Sequence, residues 1–166
     1  YLPRFAGDDL PKTNAGMVLS IADKIDNICG CFAIGLIPTG SQDPYALRRQ
    51  GLGILQILLS KKIHISLIGL IENAMSLLKD KAKKTEDAKK DALDFIRQRM
   101  DNLLTSDGYR YDIVDAVLTA KFDDPYDCFL RIQALNKLKD EPYFEPLMIS
   151  FKRVINIVPK DFKGAV

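Results

Sequence analysis

The sequence predicts an all-α fold, a multi-helix bundle. Apolar residues recur at helical spacing from residue 14 to residue 157. Prolines and glycines interrupt these runs at loop-like intervals, and no stretch reads as a strand of useful length. No internal repeat is visible. Two helical sub-bundles are expected, joined by a charged stretch.

The elements follow in order. Residues 1–13 hold two prolines and a glycine and read as an extended lead-in. Thr13 or Asn14 can cap a first helix to about residue 34, whose stripe is Met17, Ile21, Ile25, Ile28 and Phe32, widened by Val18, Ala22 and Cys29. Asp23, Lys24, Asp26 and Asn27 lie on or beside the opposite face. Gly35 and "PTGSQDP" end this helix and form a loop. Asp43-Pro44 then reads as a helix start, because Asp accepts from orphan N–H groups and Pro presets φ at the first helical position. The second helix buries Leu47, Ile54, Leu55, Leu58 and Leu59 and runs to about residue 60. Gly51 and Gly53 each weaken it by roughly 1 kcal/mol relative to Ala, a cost that usually marks close helix approach or a bend.

Ser66 can cap a third helix with Leu67, Leu70, Ile71, Ala74, Leu77 and Leu78 inward, ending near Lys79. Residues 79–91 are dense in mixed charge and read as a solvated junction. Thr85 opens a fourth helix with Glu86 and Asp87 in its first turn, which suits the helix dipole. Its core face is Ala88, Ala92, Phe95, Ile96, Met100 and Leu103, and "SDGYR" stops it. A fifth helix (about 110–121) buries Ile113, Val114, Val117 and Leu118. A sixth (about 125–139) starts at Asp124-Pro125, and a seventh spans about 143–157.

Composition permits a sizeable core: 47% of the 166 residues are apolar and 28% are charged. Net charge is only +2, so any contact with nucleic acid must come from local patches. The odd cysteine count leaves at least one thiol unpaired, and Cys29, Cys31 and Cys128 read as buried thiols in a reducing compartment. No apolar run approaches the ~20 residues needed to span a bilayer. No signal-peptide pattern opens the chain. It begins at Tyr1 and is expected to be a piece of a longer protein.

Catalytic chemistry is sparse. The lone histidine, His64, cannot supply a usual zinc site, and the cysteines lack ligand spacing. A satisfied, partly buried histidine is the plainer reading. No phosphate loop and no nucleophile elbow occur. Asp23 and Asp26, three apart on one helix face, could bind a metal, although a solvated face with Lys24 beside them is the simpler account. Arg48 and Arg49 suit phosphate, since guanidinium forks match its oxygens, and equally suit surface salt bridges. Lys152 and Arg153 form a second small basic cluster, with Lys160 and Lys163 beyond.

Four blocks carry a resemblance. "PRFAGDDLP" (3–11), "ADKIDN" (22–27), "FAIGLIPTGSQDPYALRR" (32–49) and "KRVINI" (152–157) together resemble the β subunit of the bacterial two-subunit glycyl-tRNA synthetase, in that family's order and spacing. Two stretches depart from the family pattern at the level of packing, the cysteines of "NICGCFAIG" and Gln50-Gly51, where alanines are usual. The resemblance implies an aminoacyl-tRNA synthetase, a cytoplasmic ligase that joins glycine to tRNA with ATP and Mg. It implies tRNA(Gly), the α subunit and the rest of the β chain as partners, and no membrane. It places residues 1–78 at the end of a helical region related to HD-type phosphohydrolases, 79–91 as junction, and 92–166 as helices leading into the anticodon-binding part. Asp23 then falls where such a phosphohydrolase places its last metal-binding aspartate, in a pattern generally degenerate in this family. No metal site and no catalytic residue is expected in this chain. The expected contacts with tRNA phosphates are Arg48, Arg49, Lys152 and Arg153. The alternatives are a spacer that docks the α subunit or neighbouring β domains, or a degenerate HD-type metal phosphohydrolase remnant.

Overall fold

The computed structural model describes residues 2–5, 7–78 and 85–158, without the side chains of 85 and 86. Among them lie seven helices and no strand: α1 (Asn14–Ala33), α2 (Leu47–Ser60), α3 (Leu67–Leu77), α4 (Thr85–Ser106), α5 (Tyr111–Ala120), α6 (Pro125–Leu138) and α7 (Phe144–Ile157). The first part of the charged junction, 79–84, lies outside the described residues, as do Lys160 and Lys163. Thr85 does open α4.

Local chemistry sets most boundaries. Thr13 caps α1 by accepting from Gly16 N at 3.1 Å, and Ser66 caps α3 by accepting from Gly69 N at 3.0 Å. Asp124 caps α6 by accepting from the N–H groups of Tyr126 and Asp127, with Pro125 at the first helical position. α4 ends at Ser106, just before Gly108, whose φ of 92° is the left-handed conformation that a glycine supplies without strain.

The second Asp-Pro pair behaves differently. Pro44 lies in a turn, and α2 begins three residues later, at Leu47. Ala46 precedes it in the left-handed region at φ 53°, a conformation an L-residue adopts at a cost. Asp43 nonetheless caps α2 from a distance: its carboxylate accepts from Leu47 N at 2.8 Å and Arg48 N at 3.1 Å. Gln50 Nε2 donates back to Tyr45 O at 3.0 Å.

The core is continuous through the bundle. α1 packs on α2, α3 and α4, and α4 also packs on α2, α3 and α5. Ile28, Ile54, Leu55, Ile57, Leu58, Leu67 and Ile96 have no exposed surface. α2 comes close to both neighbours at its glycines. A Cβ on Gly53 would stand 3.1 Å from Lys24 Cε and Pro3 Cγ, and one on Gly51 would stand 3.4 Å from Arg99 Cγ and Phe95 Cε1. Phe32 and Phe95 meet across α1 and α4 at 5.3 Å between centroids.

Three expectations are corrected. Leu77 is 82% exposed, and Met75 takes its place in the core of α3. On α4 Leu104 is the buried leucine, and Leu103 is only half-buried. Lys24, expected beside a solvated face, is buried with 4% exposure. α7 has no buried residue, and Phe151, Val154, Ile155 and Ile157 along it are all exposed.

Asp43→Ala should lower unfolding stability by about 1 kcal/mol through the lost cap. Ala46→Gly, which removes the Cβ from a left-handed position, should leave stability unchanged or higher. Denaturant melts of the two variants check this pair.

Candidate basic clefts along α2

Two clefts flank the start of α2, and Arg49 borders both. The first, about 320 Å³, lies between the lead-in, α1 and α2 and is lined by Pro3, Arg4, Asp23, Lys24, Asn27, Ala46, Arg49 and Gln50. The second, about 460 Å³, lies between α2 and the C-terminal half of α4 and is lined by Asp43, Arg48, Arg49, Leu52, Arg99, Asn102, Leu103 and Ser106.

The first cleft is built on Lys24. Its stem packs over Gly53, and its Nζ donates to Ser20 Oγ at 2.7 Å and reaches Leu2 O at 3.5 Å. Ser20 Oγ in turn donates to Leu2 O at 2.6 Å. Burial lowers the Lys24 pKa below 10.5, opposed by the nearby charge of Asp23. Asp23 is half-buried in this cleft and Asp26 is exposed. Arg4, Lys24 and Arg49 share the cleft with Asp23, so a cation meets more positive charge than negative there. Among the described residues no three His, Cys, Asp or Glu side chains converge as metal ligands.

The second cleft is dominated by guanidinium groups. Arg48 is half-buried and Arg49 exposed. Neither side chain ties down the preceding loop; Asp43 and Gln50 do that through backbone groups. The third arginine, Arg99, was not among the residues expected from the sequence. It lies over the Phe95 ring at 4.9 Å. Its Nε is buried without a partner, and burial lowers its pKa, with the charge of Arg48 adding to the effect. The Phe95–Arg99 spacing of four residues on one helix hints at this stacking, but not that α2 lies opposite. Asp43 is the acid of this cleft, and both its oxygens already accept from helix N–H groups.

Lys152 and Arg153 are exposed on α7 and line neither cleft. His64 is exposed rather than partly buried, yet satisfied: Nδ1 lies 2.7 Å from Asp124 Oδ2, and the ring meets Tyr126 edge-on. Beside it Asp123 accepts from Ser66 Oγ and Ile68 N, which ties α3 to the loop before α6. Cys29 and Cys128 are buried free thiols, and burial pushes Cys29 up to about 12. Cys31, expected to be buried, is only half-buried.

The chain matches the family described as glycyl-tRNA synthetase beta subunit over residues 1–119. It is 49% identical to the glycine–tRNA ligase beta subunit of Syntrophotalea carbinolica, over 100% of this chain and 24% of the relative. It is 46% identical to that of Syntrophus aciditrophicus, over 99% and 24%, and 47% identical to that of Clostridioides difficile, over 96% and 23%. The chain therefore spans about a quarter of the length of these curated relatives.

Lys24 gives a pH test. Its folded pKa lies below its unfolded value, so between the two the unfolded chain binds more protons and stability rises with pH. The cost of burying its charge is fully present below the folded pKa. Lys24→Met should therefore be more stable relative to the native sequence at about pH 7 than at about pH 10. Denaturant midpoints across that range check this; a pH-independent difference contradicts it.

Proposed function

The chain belongs to the glycyl-tRNA synthetase β-subunit family, and on that premise we propose that it is a helical, tRNA-contacting module of a glycine–tRNA ligase. In this reading the whole two-subunit enzyme joins glycine to tRNA(Gly) in the cytoplasm, using ATP and Mg bound outside this chain. The module holds the phosphate backbone and adjoins the α subunit and the rest of the β chain. Residues 1–78 form the end of the HD-like region, and 92–166 lead into the anticodon-binding part.

One observation carries the proposal. Arg48 and Arg49 border open clefts, and among the described residues neither has a carboxylate within ion-pair distance. Arginines in salt bridges, as a pure spacer requires, have such partners. Backbone contact of this kind is sequence-independent and salt-sensitive. Lys152 and Arg153, exposed on α7, are the proposed second contact. The spacer reading has its own support in the exposed apolar residues of α7, and the two roles are compatible on different faces of the chain.

The test uses the complete two-subunit enzyme. Arg49→Ala should leave the melting temperature unchanged and raise KM for tRNA. It should also reduce the salt dependence of tRNA binding by about one phosphate contact, a slope change of roughly 0.7–0.9. Arg48→Ala, at a half-buried position, should lower both stability and tRNA affinity. Wild-type tRNA kinetics in both variants favours the spacer.

A further inference from the structure

The tRNA-contact reading rests on residues of α2 and α7. The cleft between α2 and α4 contains more than that reading uses. Arg99 reaches it from α4, a helix with no other place in the proposed interface. Three guanidinium groups and one carboxylate line the cleft. That carboxylate, Asp43, is committed to the helix start and forms no ion pair with Arg48, Arg49 or Arg99. The charge excess is two positive units, gathered around a concavity of about 460 Å³.

We infer that this cleft is a phosphate site in its own right, anchored by Arg99 and completed by Arg48 and Arg49, for a phosphodiester group of an RNA backbone. Arg99 is suited to be the anchor because its position is fixed. Its plane rests on Phe95, and its stem lies against Gly51, where any side chain would contact it. A guanidinium held on an aromatic face loses little further freedom on binding an anion. Its Nε is buried without a partner, and its outer N–H groups reach only Gln98 Oε1, at 3.5 Å, so the fork is left largely unsatisfied beside the cleft. Burial, and then the charge of Arg48 beside it, disfavour its charge, and an incoming anion offsets both. Asn102 and Ser106, both exposed, add neutral polar groups along the same wall. Planar forks converging from two helices match phosphate oxygens in a way that lysines do not.

This inference deepens the tRNA reading and depends on it, so the experiment separates the two. tRNA(Gly) transcript is the probe, titrated onto the complete two-subunit enzyme at several salt concentrations. Arg99→Gln should weaken binding about tenfold, the value of one charge-assisted contact, and lower the salt slope by about one phosphate. Arg99→Lys keeps the charge and loses the fork, so it should weaken binding with the slope retained. A purely structural Arg99 would change the melting temperature and leave the slope alone. Should Arg99→Gln fail to fold, Asn102→Asp puts a negative charge on the same wall from an exposed position and should weaken binding most at low salt. Wild-type affinity and slope in the Arg99 and Asn102 variants, with losses at Arg49→Ala, overturn the phosphate site and leave the tRNA reading standing. Wild-type behaviour in all of these variants overturns both.

Discussion

α2 packs closely on its neighbours and carries glycine at two of its points of contact. At Gly53 a methyl group would press on the stem of Lys24 and the ring of Pro3 at 3.1 Å. At Gly51 it would meet Arg99 and Phe95 at 3.4 Å. Each glycine costs helix stability, roughly 1 kcal/mol relative to Ala. Close packing of Ile54, Leu55, Ile57 and Leu58, all without exposed surface, offsets that cost. The same approach decides the fate of the charged groups. It buries Lys24 under α2 with only hydroxyl and carbonyl oxygens as partners, and it brings Arg99 of α4 beside the Arg48-Arg49 pair. The basic clefts are therefore consequences of helix packing, not additions to it.

How much of this was legible in the sequence depended on whether the signal was local. The helix boundaries were, because capping residues act within four positions: Thr13, Ser66 and Asp124 cap as their spacing predicts. Asp43 shows the limit. Its carboxylate does cap α2, but a left-handed Ala46 and a turn at Pro44 intervene, and no local rule distinguishes this from the Asp124-Pro125 start. The glycines were legible as points of close approach, though not what they approach. Lys24 was misplaced because its charge reads as solvent-facing, although three residues after Ile21 and four before Ile28 it lies on the apolar face, where the lead-in around Leu2 and Pro3 folds over it. Arg99 was missed because its meaning lies in the opposite helix, about fifty positions away in sequence.

Charge placement links the fold to its proposed role. A net charge of +2 over 166 residues steers nothing by itself. Several acids are paired locally, Asp8 to Arg4, Asp112 to Arg110 and Asp127 to Arg131, and Asp43 is held by the α2 amides. Arg48, Arg49 and Arg99 gather at the α2–α4 cleft, while Lys152 and Arg153 stay exposed on α7. The chain belongs to the glycyl-tRNA synthetase β-subunit family and spans 24% at most of the relatives compared.

The most direct measurement is arginine footprinting with a dicarbonyl reagent on the complete two-subunit enzyme, read by mass spectrometry with and without tRNA(Gly). Without tRNA, exposed Arg49 should react faster than Arg99, whose Nε is buried. With tRNA, Arg48, Arg49 and Arg99 should all be protected, while Arg110 and Arg131, which are paired to Asp112 and Asp127, react at unchanged rates. Equal rates at Arg48, Arg49 and Arg99 with and without tRNA would contradict the account.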